Sequence, residues 1–111
     1  MDIWFTFDYT KSYRVGDCTF TANFTVSILV SLDERKVKDI RATLTPGSSV
    51  VCDGLNNLAG DVSATIIATH NDSEITGFLF LESSDAAWAE VMNSNESEIV
   101  HDINRDLEAS W

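Results

Sequence analysis

The fold class of this chain is decided by residues 18–32, which read CTFTANFTVSILVSL. Apolar side chains occupy every even position, and the odd positions carry threonine, serine or asparagine except at Leu29. Alternation with a period of two predicts a β-strand with one face in the core. At ~3.3 Å per residue the segment spans roughly 50 Å. Because its parity is unbroken, we expect this strand to coil rather than to contain a bulge.

The flanking segments repeat the pattern on a shorter scale. Residues 3–8, 40–45 and 62–69 also alternate, and residues 50–52 predict a short edge strand. Residues 75–81 are apolar on both faces, which is typical of a central strand or of one covered on both sides. Short polar connections suited to hairpins separate these runs, at residues 11–17, 33–36, 46–49, 56–60 and 71–73.

After Glu82 the pattern becomes that of helices. Ser83 and Ser84 are suited to cap a first helix over residues 85–92. Asn95 is suited to cap a second one, with acidic residues in its first turn. In that second helix the apolar residues fall within about 120° of the helical wheel: Ile99, Val100, Ile103, Leu107 and Trp111.

These patterns together predict an α+β fold in a single domain over residues 1–111. Residues 1–82 form an antiparallel sheet, a meander of about five to six strands, and residues 83–111 form two helices packed on one face. Phe78 and Phe80 fall on the sheet face away from the main core, together with Trp4. Either the helices cover these aromatic side chains, or the side chains form a patch for a partner or a second subunit.

The two cysteines, Cys18 and Cys52, bear on the compartment. The N-terminus has no basic segment followed by a long apolar run, so we expect neither a signal peptide nor a membrane span. In a cytoplasmic protein, two such cysteines are usually reduced thiols, and we expect this state rather than a disulfide. Together with His70 and His101 they lack the close ligand pairs of zinc sites, so no metal or cofactor is expected.

The net charge lies entirely in the second half of the chain. Residues 1–52 hold six acidic and six basic residues, whereas residues 53–111 hold twelve acidic residues and one base, Arg105, which gives a formal charge of −11. A surface of this sign repels nucleic acid and anionic membranes and attracts basic proteins. Direct binding of nucleic acid or of a membrane is therefore not expected.

Three acidic residues of the second helix are spaced by four positions, namely Glu98, Asp102 and Asp106. We call them the acidic ridge. Their Cβ atoms would lie roughly 5–6 Å apart, comparable with the spacing of phosphates along a nucleic-acid strand. The apolar stripe lies beside the ridge, so the ridge is expected to face solvent. The alternative interpretation is an ordinary solvated helix face, favoured by acids near a helix N-terminus.

No catalytic motif accompanies this charge, and the leading hypothesis is therefore non-enzymatic. Under this hypothesis the chain is an intracellular protein that binds and inhibits a basic, nucleic-acid-binding protein, such as a nuclease. Phage-encoded anti-defence proteins, nucleic-acid mimics and toxin-immunity proteins share this size and charge. The acidic ridge would make the main contacts, supported by Glu90, Glu96 and Glu108. The alternatives are an assembly protein that dimerises through its sheet, and an enzyme or small-ligand binder with a pocket between sheet and helices.

Overall fold

Two long strands run along the length of the molecule. The computed structural model describes residues 1–54 and 60–111. Strand β1 (Asp2–Val15) pairs antiparallel with β2 (Cys18–Ser31) throughout, around a tight turn at Gly16 and Asp17. Gly16 adopts a φ of +59° there, which costs a glycine little. The connection predicted over residues 11–17 is thus wrong for its first five residues, because the period of two continues to Val15.

Five further strands complete two antiparallel sheets within the described residues. Strands β3 (Lys36–Leu44) and β4 (Ser49–Cys52) share the edge of β2 that faces away from β1, and β5 (Gly60–Asp61) pairs with β4. Strands β6 (Thr65–His70) and β7 (Ile75–Leu81) form the second sheet. The antiparallel α+β fold is confirmed, although β4 lies between two strands rather than at an edge. The connection predicted at residues 56–60 lies outside the described residues except for Gly60.

The parity predicted for β2 is confirmed as far as Val30 and fails beyond it, where Ser31 is 4% exposed and Leu32, outside the strand, is 40% exposed. Its even positions from Phe20 to Val30 are all at most 6% exposed. A register shift does occur opposite Leu29 and Val30, which pair with Asp39 and Val37. The extra residue, Lys38, therefore lies on β3, and this is why β2 keeps its parity. The coiling expected from the length of this strand is not required, because the molecule extends 56 Å along its longest axis.

The two predicted helices are present as α1 (Ala86–Ser94) and α2 (Glu96–Ser110). The side chain of Asp85, rather than a serine, caps α1 by accepting the amide of Trp88 at 2.9 Å. Asn95 precedes α2 as predicted, but its amide group donates to the carbonyl of Val91 at 2.8 Å and does not cap α2. The apolar stripe of α2 packs into the core, where Ile99, Ile103 and Leu107 are buried.

The helices cover the edge of β7 that β6 leaves open. Asn93 and Asn104 each accept a backbone N–H of β7 and donate to a carbonyl of the same residue, and Glu96 accepts a third N–H. These bonds are 2.7 to 3.0 Å long. Strand β7 is therefore not central in a ladder, but helix side chains satisfy its second edge. The β7 residues bound in this way are Ile75, Phe78 and Phe80.

An aromatic cluster joins the sheets and the helices. Phe24 of β2 contacts Phe78 and Phe80 of β7, and Phe80 packs edge-on against Trp88 of α1. All four rings are at most 1% exposed. Phe78 and Phe80 therefore lie in the main core and form no exposed patch, so their predicted position on a face away from that core is wrong. Trp4 remains on the outer face, 43% exposed.

Cys18 and Cys52 form a disulfide, and the expectation of two reduced thiols is wrong. The cause is the register of β4 on β2, which sets Cys52 directly opposite Cys18. The linear spacing of 34 residues gives no hint of this pairing.

Removal of this disulfide is expected to lower the free energy of unfolding by about 2–4 kcal/mol, because the open chain gains conformational entropy when unfolded. The double variant Cys18→Ser/Cys52→Ser and the reduced wild type should both melt at lower temperature than the oxidised protein. Thermal denaturation followed by circular dichroism measures the shift. Equal melting temperatures with and without reductant would contradict the pairing.

Candidate protein-binding surface

The acidic ridge of α2 faces β1, not solvent. The Tyr13 hydroxyl donates to Oε2 of Glu98 at 3.1 Å. At the other end of the ridge, the Tyr9 hydroxyl donates to Oδ2 of Asp106 at 2.8 Å. Between them, the ammonium group of Lys11 forms an ion pair and a hydrogen bond with Asp102.

A match of repeat lengths between helix and strand produces this series of contacts. Four residues of an α-helix rise about 6.0 Å, and two residues of an antiparallel strand advance about 6.8 Å. Since α2 runs antiparallel to β1, each successive ridge carboxylate meets the preceding odd-numbered side chain of β1. The ridge is thereby complementary to one face of its own sheet.

Asp102 is the most enclosed member of the ridge. Its side chain is 12% exposed, and that of Lys11 is 19% exposed. The guanidinium group of Arg105 lies 3.3 Å from the other carboxylate oxygen of Asp102. The hydrogen bond from Lys11 lowers the pKa of Asp102 more than burial raises it, and the two nearby cations lower it further. This carboxylate is therefore ionised and neutralised inside the fold.

The two tyrosines are held in their protonated form as donors. Burial first, and then the charge of Glu98 and the hydrogen bond to it, together raise the pKa of Tyr13 to about 12. Burial also raises the pKa of Tyr9, and the hydrogen bond to Asp106 adds to this increase. Neither hydroxyl ionises near neutral pH, so both remain available to bind the ridge.

The outward orientation expected for the acidic ridge is therefore wrong for Asp102 and Asp106. Asp102 is buried, Asp106 is partly buried, and Glu98 alone is exposed. A helical wheel places the ridge beside the apolar stripe, but it does not show which neighbouring element borders that stripe. The inward orientation of Tyr9, Lys11 and Tyr13, on which this contact depends, is a finding of the structure; the sequence pattern assigns residues 11–17 to a connection.

The three supporting acidic residues also differ in their exposure to solvent. Glu96 is half-buried and its carboxylate accepts the backbone N–H of Phe78. Glu90 on α1 and Glu108 on α2 are both exposed. Of the six residues that the sequence suggested, the structure thus leaves Glu90, Glu98 and Glu108 at the surface of the helical layer. On α2, Glu98 and Glu108 are ten residues apart, which is about 15 Å along the helix axis.

Charge pairing in the folded protein is strongly asymmetric. Within residues 1–54 and 60–111, every basic residue except Arg35 forms an ion pair. In the same ranges, six exposed carboxylates of the second half have neither an ion pair nor a side-chain hydrogen bond. They are Asp61, Asp72, Glu74, Glu82, Glu90 and Glu108.

The remaining groups considered for chemistry lie apart. His101 is exposed on α2, and His70 sits at the end of β6 with Nδ1 3.0 Å from the carbonyl of Asn71. Both cysteines are consumed by the disulfide. Where the structure describes the chain, no three histidine, cysteine or acidic side chains converge as metal ligands.

An open depression of about 460 Å³ lies between two hairpin turns and the end of α2. Arg35, Glu74 and Glu108 bring both signs of charge to it, beside Trp111. Two further open depressions of about 470 Å³ lie among the described residues, so size does not single out one of them for the small-ligand alternative.

None of the helices in the described ranges is long and apolar enough to cross a membrane. No family model, curated protein or solved structure matches the chain.

Proposed function

We propose that this protein is a non-enzymatic binding protein that recognises a basic, nucleic-acid-binding protein and inhibits it by covering its basic groove. The contacts come from exposed carboxylates of the helical layer, with Glu90, Glu98 and Glu108 as principal residues. Asp102 and Asp106 support the fold, and direct mimicry of phosphates by the whole acidic ridge is not part of the proposal.

The observation that carries this proposal is the unbalanced surface charge. In the described residues, every basic residue except Arg35 forms an ion pair within the protein. Six exposed carboxylates of the second half have no such partner and remain in solvent. Such a surface attracts a basic partner over roughly one Debye length, about 8 Å at physiological salt. Attraction at this range raises the association rate more than it lengthens the lifetime of the complex.

Steric occupation follows this electrostatic approach. A basic groove that binds nucleic acid is lined by lysine and arginine, and a folded acidic domain seated in it excludes the polyanion. The partner would lose its nucleic-acid affinity without any covalent change. This mechanism requires no cofactor and no catalytic group.

The cytoplasmic location expected from the sequence stays a prediction. The disulfide between Cys18 and Cys52 weighs against it, because disulfides persist mainly in oxidising compartments. The proposed recognition depends on surface charge and applies in either compartment.

The proposal predicts that Glu90→Gln/Glu108→Gln weakens partner binding. The experiment begins with the immobilised protein, which captures its binding partners from an extract of the native host. The association rate with a captured basic protein is then measured across a salt series. The double variant should associate several-fold more slowly at low salt and converge with the wild type at high salt.

The matched control is Asp2→Asn/Asp17→Asn. Both residues are exposed, have no side-chain partner in the described ranges and lie in the half of the chain without net charge. This control changes the formal charge by the same two units but should leave the association rate close to that of the wild type. Equal slowing by both double variants would show that net charge alone, and not the helical layer, directs binding. Capture of no basic protein at low salt would refute the proposal.

A further inference from the structure

One of the three depressions described above differs from the other two in the chemistry of its lining. It has a volume of about 460 Å³, within the range of about 300–1,000 Å³ that is typical of small-molecule sites. Arg35, Glu74 and Glu108 line it. Of the two depressions of about 470 Å³, one has no charged side chain in its lining, and the other has only the carboxylates of Asp61 and Asp85. Of these three depressions, only the first therefore offers a ligand both signs of charge.

Hydrogen bonds hold one wall of this depression in place. The backbone N–H of Val37 donates to the carbonyl of Asp72 at 2.8 Å and joins β3 to the turn between β6 and β7. The side chain of Asn104 binds both backbone groups of Ile75, at 2.7 and 2.9 Å, and fixes the same turn to α2. Glu74 lies between the two residues that these bonds anchor. Binding of a ligand at Glu74 would therefore require little ordering of the backbone.

Arg35, on another wall, is the basic residue that the fold leaves without an ion pair in the ranges that the structure describes. Its guanidinium nitrogens lie more than 4.0 Å from the carboxylate oxygens of Glu74 and Glu108, although all three side chains line the same depression. The backbone of Arg35 has a φ of +53°, a left-handed conformation that glycine adopts at lower cost. Neither ion pairing nor backbone conformation therefore explains an arginine at this position.

The separated charges define the kind of ligand that fits between them. Arg35 can bind a carboxylate through two parallel N–H···O bonds. Glu74 and Glu108 each attract a cation. The half-buried Trp111 in the same lining offers apolar surface to a methylene chain and an aromatic ring to a cation. A free amino acid with a basic side chain has one carboxylate, two cationic groups and such a chain.

We propose that this depression binds a free basic amino acid, such as L-arginine or L-lysine. The α-carboxylate pairs with Arg35, the two cationic groups pair with Glu74 and Glu108, and the side chain lies against Trp111. This site goes beyond the proposed function and requires no protein partner. Glu108 belongs to both surfaces, so the variants that test the ligand site are placed at Arg35 and Glu74, which the proposed function does not use. The two proposals therefore fail independently.

Nitrogen–proton correlation NMR spectra of the protein, titrated with L-arginine and L-lysine, test the binding. The indole N–H of Trp111 and the backbone N–H groups of Ser73 and Glu74 should shift saturably, with a dissociation constant of about 1 mM or lower. Agmatine lacks the carboxylate, citrulline lacks the side-chain cation, and N-acetyl-arginine lacks the α-ammonium group. Each should bind at least about tenfold more weakly than L-arginine. Equal binding of N-acetyl-arginine would assign the site to the C-terminal residue of a peptide and overturn the proposal of a free amino acid.

Variants of the lining test which side chains bind the ligand. Arg35→Gly removes the guanidinium group and suits the left-handed backbone, so this variant should stay folded and bind L-arginine at least about tenfold more weakly. Glu74→Gln should weaken binding by a similar factor. The matched controls Lys38→Gln and Asp72→Asn remove the same charges outside the lining and should bind like the wild type. Absence of a saturable shift with both amino acids would overturn the proposal, as would an Arg35→Gly variant that binds normally or controls that lose binding equally.

Discussion

Replacing Phe24 by aspartate is expected to abolish folding, while Thr25→Lys leaves the protein folded. Phe24 is 1% exposed and contacts Phe78 and Phe80 across the core. Truncation of a buried phenylalanine alone costs about 3–5 kcal/mol, and an unpaired carboxylate in its place adds a further penalty. Domains of this kind are stable by about 5–15 kcal/mol in total, so the aspartate variant should have no folded population.

Thr25 provides the matched control because it lies next to Phe24 on the opposite face of β2. Its hydroxyl donates to a carboxylate oxygen of Asp8 at 2.7 Å on the outer face. A lysine there can pair with the same carboxylate, and surface changes of this kind usually shift stability by no more than about 0.5 kcal/mol. Urea denaturation followed by tryptophan fluorescence compares the variants. Similar unfolding curves would show that β2 does not separate an inner face from an outer one.

The elements with strong periodicity could be predicted from the sequence. Strand β2 and the apolar stripe of α2 both follow from patterns within a few residues, whereas the pattern of residues 75–81 leaves open whether Phe78 and Phe80 are buried. The C-terminal half of β1 was missed because Lys11, a charged residue at an inward position, resembles a loop residue. Its inward position is tolerated only because Asp102 lies opposite it. The sequence near Lys11 does not show that it has this ionic partner, because β1 and α2 are separated by most of the chain.

The same limitation applies to the candidate site and to the disulfide. The spacing of Glu98, Asp102 and Asp106 is evident in the sequence and predicts contact with another protein, whereas in the structure these residues contact β1. The pairing of Cys18 with Cys52 depends on the register of β4 on β2. Each of these contacts is set by which elements become neighbours, and local patterns contain no information about that choice.

Asp102→Lys is expected to destabilise the protein strongly, although the sequence alone suggested a harmless surface change. The new ammonium group would face that of Lys11 in an enclosed position, since the two native side chains are 12% and 19% exposed. Removing one partner of a buried ion pair costs about 3–5 kcal/mol because the other charge is left uncompensated. Combined with Glu98→Lys and Asp106→Lys, it should leave little folded protein. Urea denaturation measures the loss.

Glu108→Lys is the matched control, because Glu108 is exposed on the same helix without a side-chain partner in the described ranges. It should change the free energy of unfolding by no more than about 0.5 kcal/mol. The double variant Lys11→Met/Asp102→Leu should recover much of the stability lost in Asp102→Lys, since apolar replacement of both partners avoids the desolvation of charge. If Asp102→Lys and Glu108→Lys were equally mild, the acidic ridge would be a solvated face open to a partner after all.

The pH dependence of this contact provides an independent measurement on the wild type. The pKa of Asp102 is lowered in the folded protein, first by the hydrogen bond from Lys11. A lowered pKa stabilises the fold fully above the unfolded value of about 3.9 and loses that effect as pH falls through the folded pKa. The difference in unfolding free energy between wild type and Asp102→Asn should therefore be constant from about pH 7 to about pH 5 and shrink below about pH 4. A difference that does not change with acidification would mean that the Asp102 carboxylate makes no specific charged contact with β1.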